Sequence, residues 1–131
     1  KICHEVQNGS PGLWIFGGET HLNLPKAPGD GGRNQHLALM LAMQFTHRMP
    51  VTVLCAGTDG KDGNQDVAGV VFDANNLDLT DARHALDHAD SYHWWMQRDA
   101  LLLTGPTRTN VADLTLVLKN EDSIENSLGK R

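Results

Sequence analysis

The residues best suited to chemistry lie in the segment PGDGGRNQHLALMLAMQF, residues 28–45. Its glycines let the loop adopt backbone conformations that other residues avoid, and the run that begins at Arg33 is typical of a buried helix. The first N–H groups of a helix lack internal partners, and the helix dipole adds partial positive charge there. The sequence therefore predicts an anion site for a phosphate or carboxylate, formed by Gly31, Gly32, Arg33 and Asn34.

The same segment has a simpler interpretation. Asp30 could cap a glycine-rich turn, and Arg33 could pair with an acidic side chain at the surface. The local sequence gives the two interpretations similar weight, so the rest of the chain has to separate them.

A second candidate site is the loop GTDGKDGNQDVAG, residues 57–69, which follows a predicted buried strand. In open α/β sheets, the loops at the carboxyl ends of the strands line the ligand crevice. Asp59 or Asp62 would orient a hydroxyl or a magnesium-bound phosphate in this position. A tight turn with solvated acidic side chains is the alternative.

Part of this loop has the spacing of a calcium site. Asp62, Asn64, Asp66 and Asp73 occupy the first, third, fifth and twelfth positions of a helix–loop–helix calcium loop. However, Val67 replaces the glycine required at the sixth position, and a strand rather than a helix precedes the loop. The sequence therefore disfavours calcium.

Three further clusters have ordinary explanations beside the chemical ones. His84 and His88 have zinc-compatible spacing, but no cysteine or catalytic glutamate accompanies them, which favours surface histidines. Trp94 and Trp95 could form a stacking platform, although core packing is the commoner use of paired indoles. The segment GPTRTN, residues 105–110, could bind a polar ligand or satisfy its own turn.

The composition is that of one folded domain. The chain has 131 residues, 40% of them hydrophobic, and a net charge of −5. With no long lysine or arginine run, this charge disfavours nucleic acid and anionic membranes as main partners. Two cysteines are too few for a disulfide scaffold, and the first residues lack the charged-then-apolar layout of a signal peptide, so we expect a cytoplasmic protein. Because the chain begins with Lys1, we expect a processed or excised piece of a longer protein.

Apolar runs and breakers outline the elements that must position these residues. We expect strands at 13–17, 20–24, 51–56 and 114–118, a short apolar run at 70–72, and helices from Arg33 to Phe45, over 77–90 and over 92–98. The alternation of helix and strand predicts a single three-layer α/β/α domain with a mixed, largely parallel sheet. The domain is expected over 13–119, after a polar lead-in at 1–12 and before a polar tail at 120–131.

Five motifs occur in a fixed order along the chain. They are GGET at 17–20, GGRNQ at 31–35, AGTDGKDG at 56–63, DSY at 90–92 and TGPTRTNVADL at 104–114. Together they resemble the MOFRL domain, the C-terminal domain of class II glycerate kinases, a family whose members were often named hydroxypyruvate reductases. The resemblance covers roughly residues 13–119.

The resemblance implies an α/β domain that faces a larger N-terminal Rossmann-like domain across a cleft. There, ATP, Mg²⁺ and D-glycerate would meet, and a phosphoryl group would move to a glycerate hydroxyl. Arg33 matches the active-site arginine of the family motif GGRNQE, which implies a catalytic role. By their places in the motifs, the candidates for binding substrate or phosphate are Glu19, Gly31, Gly32, Asn34, Thr58, Asp59, Thr107 and Asn110. Asp59 is also the candidate for holding Mg²⁺ through a phosphate.

The sequence departs from the family pattern at three positions. His36 stands where the family has Glu, Arg108 where it has Gly, and Ala112 where it often has Asn. Losing the glutamate removes a possible partner of Arg33, and Arg108 adds charge and bulk to a ligand loop. In the family, the catalytic lysine belongs to the N-terminal domain, which lies outside these 131 residues.

Two functions are compatible with these features. The first is the C-terminal half of a glycerate-kinase active site, inactive without an N-terminal domain or a partner chain that supplies one. The alternative is a free-standing, non-catalytic binding or assembly module derived from such a kinase. The intact GGRNQ and AGTDG motifs favour the first, whereas His36 and Arg108 favour the second. The sequence leaves open whether the chain forms a homo-oligomer.

Overall fold

A computed structural model describes residues 1–121 of the chain. Its elements, in chain order, are α1 (Ile2–Asn8), β1 (Gly12–Gly18), α2 (Arg33–Phe45), β2 (Val51–Gly57), β3 (Gly69–Asp73), α3 (Ala82–Asp87), α4 (Ser91–Met96), β4 (Leu101–Leu102) and β5 (Asp113–Lys119). None of these helices has the length and apolar character needed to cross a membrane. The predicted polar tail falls largely on residues 122–131, outside the described part of the chain.

The five strands form one sheet in the order β1-β5-β2-β3-β4, and every neighbouring pair is antiparallel. The expectation of a largely parallel sheet is therefore wrong, although the α/β class is correct. The helix α2 does connect two strands, β1 and β2, that run in the same direction, as a crossover requires. However, β5 returns from the end of the domain and lies between them, antiparallel to both.

One face of the sheet is covered by helices. The buried residues Val53, Val70 and Val117 lie on this face, together with Leu39 of α2. Trp95 stacks on Phe72 with 5.2 Å between ring centroids, and its indole N–H donates to the Gln35 carbonyl at 2.9 Å. Both Trp94 and Trp95 are buried, as their core interpretation predicts.

The opposite face of the sheet is apolar and exposed. Leu13 and Ile15 of β1 are 58% and 63% exposed, and Leu118, which pairs with Leu13, is 45% exposed. Since the side chains of a strand alternate between faces, these residues point away from the helices. The described residues thus form two layers, a sheet and one helical layer, rather than the expected three.

The N-terminal segment is more ordered than a polar lead-in. It forms α1, whose Val6 is fully buried, and Lys119 Nζ donates to three carbonyls near the end of this helix. These carbonyls belong to Val6, Gln7 and Gly9, at 2.8, 3.2 and 2.8 Å. Elsewhere the predicted strand at 20–24 does not form, and α3 and α4 are shorter than expected.

Candidate functional site

Arg33, the first residue of α2, contacts two carboxylates across the fold. Its Nε donates to Asp113 Oδ2 at 2.5 Å, and its Nη2 lies 3.3 Å from Asp113 Oδ1. The same Nη2 donates to Glu19 Oε1 at 3.1 Å. Asp113 is the first residue of β5 and lies opposite Gly18 of β1 and Gly57 of β2. Three strands therefore end or begin where the guanidinium is held.

These contacts keep the Arg33 guanidinium protonated and leave some of its N–H donors available. The hydrogen bond that Arg33 donates to Asp113 raises the pKa of Arg33, so the guanidinium stays protonated. Its side chain is 40% exposed. Within residues 1–121, Nη1 has no hydrogen-bond partner, which leaves two N–H donors for a ligand. Asp113 was not singled out from the sequence, because only the register of β5 brings it beside Arg33.

The backbone N–H groups at the start of α2 already have an anionic partner. Asp62 Oδ1 accepts hydrogen bonds from the backbone and side-chain nitrogens of Asn34, at 3.0 and 3.1 Å. Asp62 Oδ2 accepts the corresponding pair from Gln35, at 2.8 and 2.9 Å. The Asn34 N–H donors are therefore already used within the chain, and the binding role expected of Asn34, which lines the groove described below, stays a prediction. A ligand would meet the Arg33 side chain instead.

This use of Asp62 also bears on the calcium hypothesis. Its carboxylate, the first ligand of the proposed calcium loop, is only 2% exposed and faces α2. Among the residues that the structure describes, no group of three or more His, Cys, Asp or Glu side chains is arranged to hold a metal ion.

The two histidines with zinc-compatible spacing, His84 and His88, stack on each other with ring centroids 4.1 Å apart.

A groove of about 640 Å³ lies in front of Arg33. It brings together most of the predicted site residues, from the three motifs around Glu19, Arg33 and Asp59 and from the loop that carries Asn110. Its charged lining is Glu19, Arg33, Asp59, Lys61, Asp62 and Asp113. With four carboxylates against two basic side chains, the net charge of the groove weakens the binding of an anion, which Arg33 and Lys61 would hold.

Two predicted ligand residues instead hold the loops together. Thr58 Oγ1 donates to the Ala112 carbonyl at 2.7 Å and accepts from the Val111 N–H at 2.8 Å. The Thr107 hydroxyl donates to the Thr58 carbonyl. Neither threonine lines the groove, whereas Asn110 does while its Oδ1 accepts from the Ala112 N–H at 3.2 Å. The threonines connect the loops at 57–63 and 105–112.

The glycine loop before α2 is attached to the junction of α3 and α4. The Asp30 N–H donates to Asp90 Oδ1 at 3.0 Å, and the Tyr92 N–H donates to the Asp30 carbonyl at 2.9 Å. The ring of His93 also contacts Asp90 Oδ1, at 3.0 Å. This hydrogen bond lowers the pKa of Asp90 and raises the pKa of His93. The DSY motif thus holds the loop that leads to Arg33.

Known proteins share this arrangement of sequence and fold. The MOFRL family model matches residues 12–113. The D-glycerate 2-kinase of Thermotoga maritima is 42% identical over 113 residues, which cover 82% of this chain and 27% of that protein. The glycerate kinase of Rattus norvegicus is 37% identical over 123 residues, with 82% and 23% covered.

A solved structure agrees with these relatives. The crystal structure of a glycerate kinase from Thermotoga maritima matches with a TM-score of 0.78 and 39% identity, over 91% of this chain and 31% of that one. The chain spans about a quarter of the length of the curated relatives that it matches. The family model covers most of the chain, and the relatives and the fold agree with it. The chain therefore belongs to the MOFRL family.

Proposed function

We propose that this chain is the C-terminal ligand-binding domain of a glycerate kinase-like protein and contributes to ATP-dependent phosphorylation of D-glycerate at an interdomain cleft. The proposal rests on the contacts of the Arg33 side chain. Two carboxylates fix its guanidinium at the mouth of a groove, while Nη1 keeps two free donors within the described residues.

An arginine held in this way is preorganised to bind a carboxylate or a phosphate. The planar guanidinium can donate two parallel hydrogen bonds to a carboxylate or phosphate. Because Asp113 and Glu19 already hold it, little side-chain freedom is lost when a ligand arrives. In phosphoryl transfer, positioning and charge neutralisation supply most of the catalysis. Arg33 would accordingly hold either the glycerate carboxylate or a phosphate oxygen.

The cofactors that we propose for the complete enzyme are ATP and Mg²⁺. Mg²⁺ prefers oxygen ligands, and Asp59 offers a partly exposed carboxylate in the groove. Bound there through a phosphate, the ion would neutralise charge on ATP. Gly31 and Gly32 line the same groove, while Glu19 holds Arg33.

We expect the chain to be inactive alone. It matches about a quarter of the length of its curated relatives, and in the resembling family the catalytic lysine belongs to the N-terminal domain. That domain, in the same protein or on a partner chain, would supply the other side of the cleft.

One observation favours a non-catalytic binding module as the second candidate. Arg108 occupies a glycine position of the family motif and has a φ of 62°, in the left-handed region that glycine adopts at little cost. A bulky charged residue is therefore kept there despite backbone strain. At position 36, burial lowers the pKa of His36, so a neutral ring replaces the glutamate of the family motif.

A chimeric enzyme tests the proposed function. This chain would replace the matching C-terminal segment of the Thermotoga maritima D-glycerate 2-kinase, and a coupled assay would measure ADP release with D-glycerate. We expect no turnover from the chain alone, turnover from the chimera, and a loss of about tenfold or more in the Arg33→Ala chimera. Arg48→Ala, at an exposed arginine outside the groove, is the matched control.

Two results would contradict this proposal. Turnover by the chain alone would make it a self-sufficient enzyme. A folded chimera without D-glycerate-dependent ADP release would instead support the binding module.

A further inference from the structure

We infer that Asp62 is a positioning residue for Arg33, an inference that rests on the proposed function only in taking Arg33 as a ligand-binding group. Among the described residues, Asp62 makes no hydrogen bond to the guanidinium, whose partners are Asp113 and Glu19. Its carboxylate binds the two residues that follow Arg33 in the chain, Asn34 and Gln35, through both their backbone and their side chains.

The four hydrogen bonds define how the Arg33 side chain leaves the helix. A carboxylate at a helix start satisfies N–H groups that have no internal partner, and it interacts favourably with the helix dipole. Here both oxygens are used on consecutive residues, so the carboxylate fixes the orientation of the first turn. Asp113 then holds the other end of the Arg33 side chain at Nε. Asp62 therefore binds the helix turn from which the Arg33 side chain leaves, and Asp113 holds the guanidinium at Nε.

Gly32 makes room for this contact. Its backbone has φ −100° and ψ −179°, which any residue can adopt. A Cβ at position 32 would nevertheless lie 2.4 Å from Asp62 Cγ. The glycine is thus required by the close approach of Asp62 rather than by its own conformation, and Gly32→Ala would displace the carboxylate without changing any charge.

The same contact joins two sides of the groove. Asp62 belongs to the loop that also carries Asp59 and Lys61, and all three line the groove with Arg33. A shift of Asp62 would therefore move Arg33 relative to these side chains. Asp62 would therefore position Arg33, and its replacement should weaken ligand binding while the core remains folded.

The experiment compares Asp62→Asn and Gly32→Ala with two controls in the 131-residue chain. In Asp62→Asn, an amide NH₂ would face two N–H donors, so one pair of hydrogen bonds is lost. Asp66→Asn is the charge control, since Asp66 is exposed in the same loop. Gly17→Ala is the glycine control, because nothing lies within 4 Å of a Cβ at that position.

Two measurements by NMR are needed. The first is the hydrogen-exchange rate of the Arg33 Nε–H without ligand, with the Val117 amide as a reporter of the folded core. The second is a titration with D-glycerate. In both test variants we expect Arg33 Nε–H exchange to be about tenfold faster and D-glycerate affinity about tenfold weaker, with Val117 and both controls unchanged.

The outcomes separate this inference from the proposed function. Arg33 Nε–H exchange at the wild-type rate in the test variants would overturn the positioning role. Equal acceleration at Val117 would also overturn it, because Asp62 would then only stabilise the fold. If the wild-type chain does not bind D-glycerate, the exchange rates still decide the role of Asp62, and only the proposed ligand fails.

Discussion

Arg33 Nε lies 2.5 Å from Asp113 Oδ2, although 80 residues separate the two in sequence. The Asp113 side chain is only 9% exposed, whereas that of Arg33 is 40% exposed. The contact connects the first residue of α2 with the first residue of β5. Arg33 therefore has an acidic partner and also faces a groove, so both interpretations of this residue from the sequence describe part of its environment.

The pairing predicts that Arg33 contributes to stability. Arg33→Ala would leave Asp113 largely buried without its charged partner, and we expect the free energy of unfolding to fall by about 1–2 kcal/mol, a value reduced because Arg33 is partly exposed. Arg33→Lys keeps the charge but loses the two-pronged contact, so an intermediate loss is expected. Urea denaturation measures both, and wild-type stability in Arg33→Ala would contradict the pairing.

Removal of the Asp113 carboxylate should increase the affinity of the groove for anions. Asp113→Asn removes one of four carboxylates from the groove and releases Arg33 donors. We expect sulfate to bind more tightly to this variant than to the wild type, by roughly threefold to tenfold. Asp87→Asn is the control, at an exposed acid whose partner within residues 1–121 is Arg83. Equal sulfate affinity in all three proteins would show that Asp113 does not limit access to Arg33.

The His93–Asp90 contact predicts a small dependence of stability on pH. The pKa of His93 is raised above its ordinary value of 6.5, so its contribution is complete below 6.5 and is lost as pH rises through the raised value. The pKa of Asp90 is lowered from 3.8, so its contribution is complete above 3.8 and is lost as pH falls through the lowered value. The pair therefore contributes most between these two ordinary values.

This window can be measured with His93→Gln. Both side chains are partly exposed, so we expect the variant to lose no more than about 0.5 kcal/mol relative to wild type at about pH 5.5, and less at about pH 8.5. The pKa of His36 is lowered by burial, so His36 changes stability with pH in the opposite direction to His93. Because His36 is present in both proteins, its contribution cancels in the difference between them. A loss of the same size at both pH values would exclude the ionised pair as its source.

The two cysteines should differ in reactivity. Cys55 is fully buried, and burial raises the pKa of its thiol to about 12, so almost no thiolate forms near neutral pH. Cys3 is partly exposed on α1, although burial also raises its pKa. We expect a maleimide to label Cys3 in the native protein and Cys55 only after unfolding, as mass spectrometry of digested protein would show. Rapid native labelling of Cys55 would contradict its place in the core.

The elements that hold the groove could be predicted from local patterns. The apolar stripe from Arg33 predicts α2, and the β-branched runs predict β2 and β5, because burial of a regular face leaves a periodic signal. Strand direction has no such signal. The crossover through α2 suggested parallel neighbours, yet β5 pairs between β1 and β2 through contacts distant in sequence. The helix in segment 1–12 has little apolar signal in the sequence, because Val6 is the one residue of this segment that is buried.

The site was predicted less completely than the fold. The motifs identified Arg33 and the loops around it, but the partners of Arg33 and of the helix start, Asp113 and Asp62, depend on tertiary contacts. The sequence places Asp62 in a loop, but it does not show which N–H groups the carboxylate binds. The sequence likewise predicts Thr58 and Thr107 as ligand-binding residues, whereas in the structure their hydroxyls donate to backbone carbonyls.

If the proposed function is correct, Arg33 presents its Nη1 donors to a ligand in this groove. An NMR titration of the 131-residue chain with D-glycerate tests it most directly, by following the Arg33 side-chain N–H signals and the amides of Gly31, Gly32 and Lys61. We predict saturable shifts at these positions, little change in the core, and their loss in Arg33→Ala. Saturable shifts that persist in Arg33→Ala, or no shift at these groups at any D-glycerate concentration, would contradict the claim.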